Sequence, residues 1–360
     1  MNKISGRDTR FWATKTVAVL LLIMLSGCAG IVKPKIPVST GTPWPTDGWQ
    51  AARPETQGMD AQRLEQMQAR IKSEQIPLHS LLIIRHGVIV SENYYSGYQK
   101  DTQHELYSVT KSFISTLVGI AFDQGKLTAL DQKALELLGE TSSTYADAQK
   151  QAITLENLLT MTTGLGWTEG DVTYRQMYMS PNWVNMVLSL PMTAEPGKTF
   201  NYCSGCSHLL SAILQRQTGG TEAFAMKNLF GPLGITNYRW EKDNQAIPIG
   251  GWGLQLTSRD MAKLGYLYLH QGQWAGRQVV SSAWVKTATQ KHVPTDGNLG
   301  YGYQWWTYPS GNAYTALGRG GQTVFVAPDK DLIVVTTADL PAGHDPIFDL
   351  IDNYILPAAK

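Results

Sequence analysis

Apolar residues recur three and four positions apart in MDAQRLEQMQARIKSEQ (59–75), at Leu64, Met67 and Ile71, behind Asp60 placed as a cap. That spacing predicts an amphipathic helix. The period then changes. HSLLIIRHGVIVSENYYSGY (79–98) gives two strand-like runs that meet at His86-Gly87, the pattern of a hairpin. Helical spacing returns with Phe113, Leu117, Ile120 and Ala121, and helix and loop signals dominate from about 123 to 245. ITLENLLTMTTGL (153–165) and SHLLSAILQRQTGG (207–220) are the clearest helices there, and TSRDMAKLGYLYLHQG (257–272) predicts another. Strand patterns follow in YGYQWWTY (301–308), AYTALGRGG (313–321), TVFVAPD (323–329) and KDLIVVTTAD (330–339), with Pro328–Asp331 as a turn and a last helix at about 346–356. Strands at both ends and helices between them predict an α/β fold of the α+β type. One antiparallel sheet is assembled from both chain ends, flanked by terminal helices, with an all-helical insert at about 123–245.

The first residues stand apart from this pattern. Lys3, Arg7, Arg10 and Lys15 precede TVAVLLLIMLSGCAG (16–30), an apolar run too short and too one-sided for an ordinary membrane span. This is the form of a secretory signal, and Leu25-Ser26-Gly27-Cys28 resembles a bacterial lipobox with Cys28 as the lipidated residue; a signal anchor or a plain cleaved signal is the alternative. Ala29 after the cysteine resembles the lipoprotein pattern of outer-membrane delivery, so the expected location is the outer membrane, facing the periplasm. Prolines 34, 37, 43 and 45 then mark a semi-extended stretch. The expected plan is a signal over 1–27, a tether over 28–49 and a body over 50–360.

Composition narrows the function classes. A chain of 360 residues that is 43% hydrophobic and 16% charged supports a large core in one or two interleaved domains. Net charge is +1, and loss of 1–27, with its four basic residues and one acid, leaves −2. No basic block interleaved with aromatics appears, which argues against a nucleic-acid partner. The other two cysteines, Cys203 and Cys206 in NYCSGCSH, lack the second pair or nearby histidines of a zinc set, so no metal is expected. A short disulfide suits an exported protein, and two buried thiols remain the alternative.

ELYSVTKSFIS (105–115) contains Ser108-Val109-Thr110-Lys111. On a helix the fourth residue shares a face with the first, so the Lys111 amine can reach the Ser108 hydroxyl, and a desolvated lysine can take its proton. The bland alternative is a helix start followed by a solvated lysine. Ser108 falls at the start of an apolar helix, where free N–H groups and the positive dipole end favour an oxyanion. There is no G-x-S-x-G, H-E-x-x-H, G-x-G-x-x-G or G-x-x-x-x-G-K-[ST], so α/β-hydrolase, zinc-peptidase, Rossmann and P-loop readings lose their sequence support.

LYSVTKSFIS, LENLLTMTTGL, EPGKTFNYCSG, GGWGLQLTSRDMAKLG and GRGGQTVFVAPD, in this order over about 55–355, resemble the serine β-lactamase-like family of class C β-lactamases, D-alanyl-D-alanine peptidases and related esterases. The branch they look most like is that of 6-aminohexanoate-dimer hydrolase. The resemblance implies a cofactor-free serine hydrolase with Ser108 as nucleophile and Lys111 and Tyr202 as its proton handlers, Tyr202 as phenolate beside the lysine. Ser204 stands where the family motif has asparagine, which removes support for β-lactam recognition and implies a substrate contact of the esterase kind. Arg319-Gly320-Gly321, expected on an edge strand, takes the place of the third motif. The glycines would let substrate approach, Arg319 would bind a substrate carboxylate or stay solvated, and the Gln322 N–H would join that of Ser108 in the oxyanion hole. Tyr174 and Trp252 are the favoured aromatic pocket residues among Trp167, Tyr174, Trp183, Trp252 and Trp305. No histidine, His104 included, sits where it would be the base. The expected partner is a small ester, amide or D-amino-acid peptide, with the membrane reached through the lipid. A cell-wall peptidase or weak β-lactamase, and a non-catalytic penicillin- or peptide-sensing module, are the competing readings.

Overall fold

The computed structural model describes residues 44–140, 145, 147–170, 172–341 and 343–360. The expected signal, Cys28 and the tether up to residue 43 lie outside the described residues. Residues 44–49 are not a free tether. Trp44 packs 5.5 Å from Tyr266 and 5.6 Å from Trp274, and the Trp49 indole donates to the Arg259 carbonyl at 2.9 Å, so the packed body begins before residue 50.

Helix α1 (Ala61–Ser73) starts where Asp60 accepts the Arg63 N–H, satisfying one of the free donors of the first turn. β1 (Leu78–Arg85) and β2 (Val88–Tyr94) pair antiparallel through the two-residue turn His86-Gly87, both with positive φ (50° and 76°). That left-handed pair matches the twist of the flanking strands, and glycine enters it without strain. β3 (Gln103–Glu105) leads to a short turn, Tyr107–Val109, and then to helix α2 (Thr110–Asp123), whose residues 110–121 are all buried.

Helices make up the elements from α2 to residue 230. The helix expected over 153–165 spans only Leu155–Leu159: Thr154 and Asn157 form a reciprocal cap at its start, and Met161 at φ 59° turns the chain away after its end. Helix α3 (Ser204–Thr218) lies against α2. Cys203 and Cys206 form a disulfide at its first turn.

β4 (Arg239–Trp240) and β5 (Leu254–Thr257) join β3 in a small sheet ordered β3-β5-β4. Helix α4 (Ser258–Leu269) follows, capped by the Thr257 hydroxyl. Then come β6 (Val293–Pro294), β7 (Gly300–Tyr301), β8 (Trp306–Thr307), β9 (Tyr314–Gly318), β10 (Gln322–Ala327) and β11 (Leu332–Ala338), and helix α5 (Asp345–Leu350) continues in wider turns to Ala358. The main sheet is antiparallel throughout, in the order β2-β1-β11-β10-β9-β8-β7-β6. Both chain ends therefore build it, as the pattern predicts.

Alternation along the central strands sorts two cores. Leu81, Ile83, Phe325, Leu332 and Val334 face Met67, Ile71, Ile347 and Ile351 of the terminal helices. Leu82, Ile84, Val324, Val326, Ile333 and Val335 face α2, α4 and the helical insert. β9 lies inside the sheet, because β8, β7 and β6 continue beyond it; the edge position expected for this segment is corrected. Among the described residues no helix is long and apolar enough to cross a membrane.

Candidate active site

The start of α2, the start of α3 and the loop before β5 meet around one side chain. Lys111, 1% exposed, donates to Ser108 Oγ at 2.8 Å, Ser204 Oγ at 2.9 Å and the Gly251 carbonyl at 2.8 Å. All three ammonium protons have acceptors. Burial nevertheless lowers its pKa to about 8, partly opposed by the carboxylate of Glu169. A lysine so placed has a substantial neutral fraction near neutral pH and can accept the Ser108 proton.

Ser108 sits in the turn just ahead of α2, and Tyr107 before it holds φ at 45°, in the left-handed region. A bulky residue reaches that region at a cost, which the surrounding packing must meet to hold the Ser108 hydroxyl toward the cleft. The Tyr202 hydroxyl faces Ser108, and the Lys111 amine lies 4.8 Å from the Tyr202 ring centre. Burial and the Glu169 charge both push the Tyr202 pKa upward, the Ser108 contact opposing them. The phenolate implied by the resemblance is disfavoured here, first by burial and then by the Glu169 carboxylate.

Glu169 was not singled out in the sequence. Its carboxylate accepts from Ser204 Oγ at 2.5 Å, the Ser204 N–H at 3.0 Å and the Trp167 indole at 2.6 Å. Three donors fix it, and through Ser204 it fixes Lys111. Ser204 itself has no exposed surface. The expected substrate contact at Ser204 is therefore corrected to an internal link between Lys111 and Glu169.

A cleft of about 950 Å³ opens over Ser108. Tyr174, Tyr178 and Trp252 form one wall: Tyr174 stacks on Trp252 at 4.6 Å, and the Trp252 indole donates to the Tyr178 hydroxyl at 3.0 Å. Tyr202 and Trp306, stacked at 5.6 Å, also line the cleft. Of the other aromatic candidates, Trp167, Trp183 and Trp305 are buried in the core and do not line the cleft. The rim carries Glu105, Glu241 and the exposed Arg319. Burial, and then Glu241, raise the Glu105 pKa, while Arg319 lowers it.

The third motif is arranged differently from the expectation. Leu317, Gly318 and Arg319 line the cleft, whereas Gly320, Gly321 and Gln322 do not. Gly320 and Gly321 (φ 79° and 94°) make the turn between β9 and β10. The Gln322 side chain is buried, with its amide donating to the Arg319 and Ala338 carbonyls at 3.0 and 2.8 Å, so it closes the turn from behind. Gly318 is the glycine that close approach requires here: a Cβ on it would stand 2.2 Å from the Leu106 carbonyl, two residues before Ser108. His344, also on the cleft, bonds through Nε2 to the Gly318 carbonyl at 2.9 Å, and burial lowers its pKa. His104 is buried away from the cleft, stacked with His79 and tilted against Tyr98. No cluster of three or more His, Cys, Asp or Glu side chains among the described residues is arranged to hold a metal ion.

A profile of the family described as Beta-lactamase matches residues 56–351. The chain belongs to the beta-lactamase family. Within it, the 6-aminohexanoate-dimer hydrolase of Paenarthrobacter ureafaciens is 24% identical over 315 residues, 78% of this chain and 77% of that protein. Among solved structures, EstCE1, a hydrolase with promiscuous acyltransferase activity, matches with a TM-score of 0.67 at 19% identity over 81% of this chain and 97% of its own. The octameric penicillin-binding protein homologue from Pyrococcus abyssi matches with a TM-score of 0.65 at 18% identity, over 83% of this chain and 78% of its own. This beta-lactamase-family fold is thus shared by hydrolases and penicillin-binding homologues alike.

Proposed function

We propose that the protein is a serine hydrolase that cleaves small esters or amides through an acyl-enzyme on Ser108. The observation that carries this reading is the buried Lys111 amine, 2.8 Å from Ser108 Oγ with its pKa lowered to about 8. Lys111 in its neutral form takes the Ser108 proton as Oγ attacks the carbonyl carbon. The oxyanion is held by the backbone N–H of Ser108 and a second one from the Gly318–Gln322 segment, whose Gly318 and Arg319 line the cleft. On collapse the leaving alcohol or amine takes a proton from the neutral Tyr202 phenol, which regains one from the Lys111 ammonium. Water, deprotonated through the same pair, then releases the acid and restores Ser108. The likeness to the 6-aminohexanoate-dimer hydrolase of Paenarthrobacter ureafaciens supports an amide or ester among the substrates.

The test is labelling. A fluorophosphonate probe is expected to modify one peptide, that containing Ser108, read by mass spectrometry, and an ester and amide panel to show turnover. Labelling by fluorescent penicillin with no turnover on the panel would support a sensing module and overturn the proposal.

Glu169 sets a second expectation. Its charge raises the Lys111 pKa, so Glu169→Gln lowers that pKa further. The ascending limb of kcat/KM against pH therefore moves to lower pH. The rate on the plateau falls about tenfold to a hundredfold, because an amide cannot accept all three donors that now fix the carboxylate. A pH–rate profile on an activated ester checks both; an unmoved limb would show that Glu169 does not act on the base.

A further inference from the structure

A second cavity of about 830 Å³ lies beside the catalytic cleft, in the size range of ligand sites. Leu299 and Trp306 line both, so the two spaces meet at one lip. Trp306 stacks on Tyr202 on the cleft side and packs 6.2 Å from Phe200 on the other. Beyond the lip the walls are Phe200, Tyr308, Pro309 and Phe348, with Tyr308 edge-on to Phe348 at 5.9 Å. Asp296, Asp345 and Asp352 are the charged residues of its lining, and no basic side chain joins them. The Tyr308 hydroxyl is buried without a hydrogen-bond partner.

We propose that this cavity is the subsite for a long apolar acyl chain of the substrate, which runs from the carbonyl at Ser108 over the Leu299–Trp306 lip to lie against Phe348 and Pro309. The assignment rests on the hydrolase reading above, since the chain is attached to the carbonyl that Ser108 attacks. Apolar walls reward each buried methylene, whereas the three aspartates disfavour a chain ending in a carboxylate. An acetyl group is too short to pass the lip. The subsite thus separates substrates by acyl length and by the charge at the far end, without touching the reacting atoms.

The experiment compares p-nitrophenyl acetate with the butyryl, octanoyl and decanoyl esters, in wild type, Phe348→Ala and Ser310→Trp, the last adding bulk at the exposed mouth of the cavity. Wild-type kcat/KM is expected to rise at least tenfold from acetyl to octanoyl. Both variants are expected to lose most of that rise, through KM, and to keep acetate turnover within about twofold, which also reports that they fold. A second arm does not depend on turnover: 1-decanol titrated calorimetrically into Ser108→Ala protein binds, and binds at least tenfold more weakly when Phe348→Ala is added. A flat or falling length profile in wild type, variants that change acetyl and octanoyl esters alike, or no decanol binding would each overturn the subsite. Absence of turnover on every ester with decanol binding intact would instead overturn the hydrolase reading and leave the apolar subsite standing.

Discussion

Ser108→Ala is expected to lower kcat/KM for p-nitrophenyl acetate by at least about 10⁴-fold, while the circular-dichroism spectrum and unfolding midpoint stay close to wild type. The size follows from the role: removal of a nucleophile that acts as a unit with its base leaves only the catalysis given by binding and oxyanion stabilisation. The structural cost is small because the Ser108 hydroxyl meets only the Lys111 amine and the Tyr202 hydroxyl, and Lys111 keeps Ser204 and Gly251 as acceptors. Turnover by the variant within a hundredfold of wild type would show that another group attacks. His344 would then be examined first, since it lines the same cleft and burial lowers its pKa.

The sheet could be read from the chain because its signals are local. The continuous apolar runs LLII and LIVV, buried on both faces, the His86-Gly87 turn, and caps at Asp60 and Thr257 each fix an element within a few residues of itself. The site was legible only where motif and geometry coincide. Ser108 and Lys111 share one helical turn, so their contact follows from spacing. Glu169 does not: it lies 35 residues before Ser204, in a loop with no periodic pattern, and only the packing of that loop on α3 brings its carboxylate to Ser204 and Trp167. Trp306 escaped for the same reason, as its stacking on Tyr202 joins β8 to the start of α3.

The errors at the third motif have a different source. The resemblance places R-G-G-Q on one continuous edge strand. Instead the chain reverses at Gly320 and Gly321, so Gln322 opens β10 opposite Gly318 and its side chain points into the sheet connection. A turn that needs positive φ at two successive glycines reads in sequence much like a glycine-rich strand. Ser204 shows the complementary case: a residue at a motif position that, once buried, serves the base rather than the substrate.

The lysine carries the second large effect. Lys111→Met is expected to lower kcat by about 10²–10⁴-fold, the range for loss of a general base, and to remove the ionisation near pH 8 from the rate profile. In wild type, kcat/KM should fall tenfold for each unit of pH below about 8, because only neutral Lys111 accepts the Ser108 proton. Stability gives an independent reading of the same proton. Lys111 releases its proton at about 8 in the folded protein, against 10.5 when unfolded. Between those values the unfolded chain binds more protons, so stability rises with pH through that window. The full penalty of burying the charge, about 3 kcal/mol, is present below pH 8. Lys111→Met lacks this penalty but leaves the Gly251 carbonyl without its donor, a loss of about 1–3 kcal/mol, so near pH 7 the two nearly offset. Chemical denaturation at pH 7 and pH 10 should therefore show the difference in stability between wild type and variant shifting in favour of wild type at the higher pH. A rate profile in the variant that keeps its limb near 8, or a stability difference that does not move with pH, would remove Lys111 from the role of base.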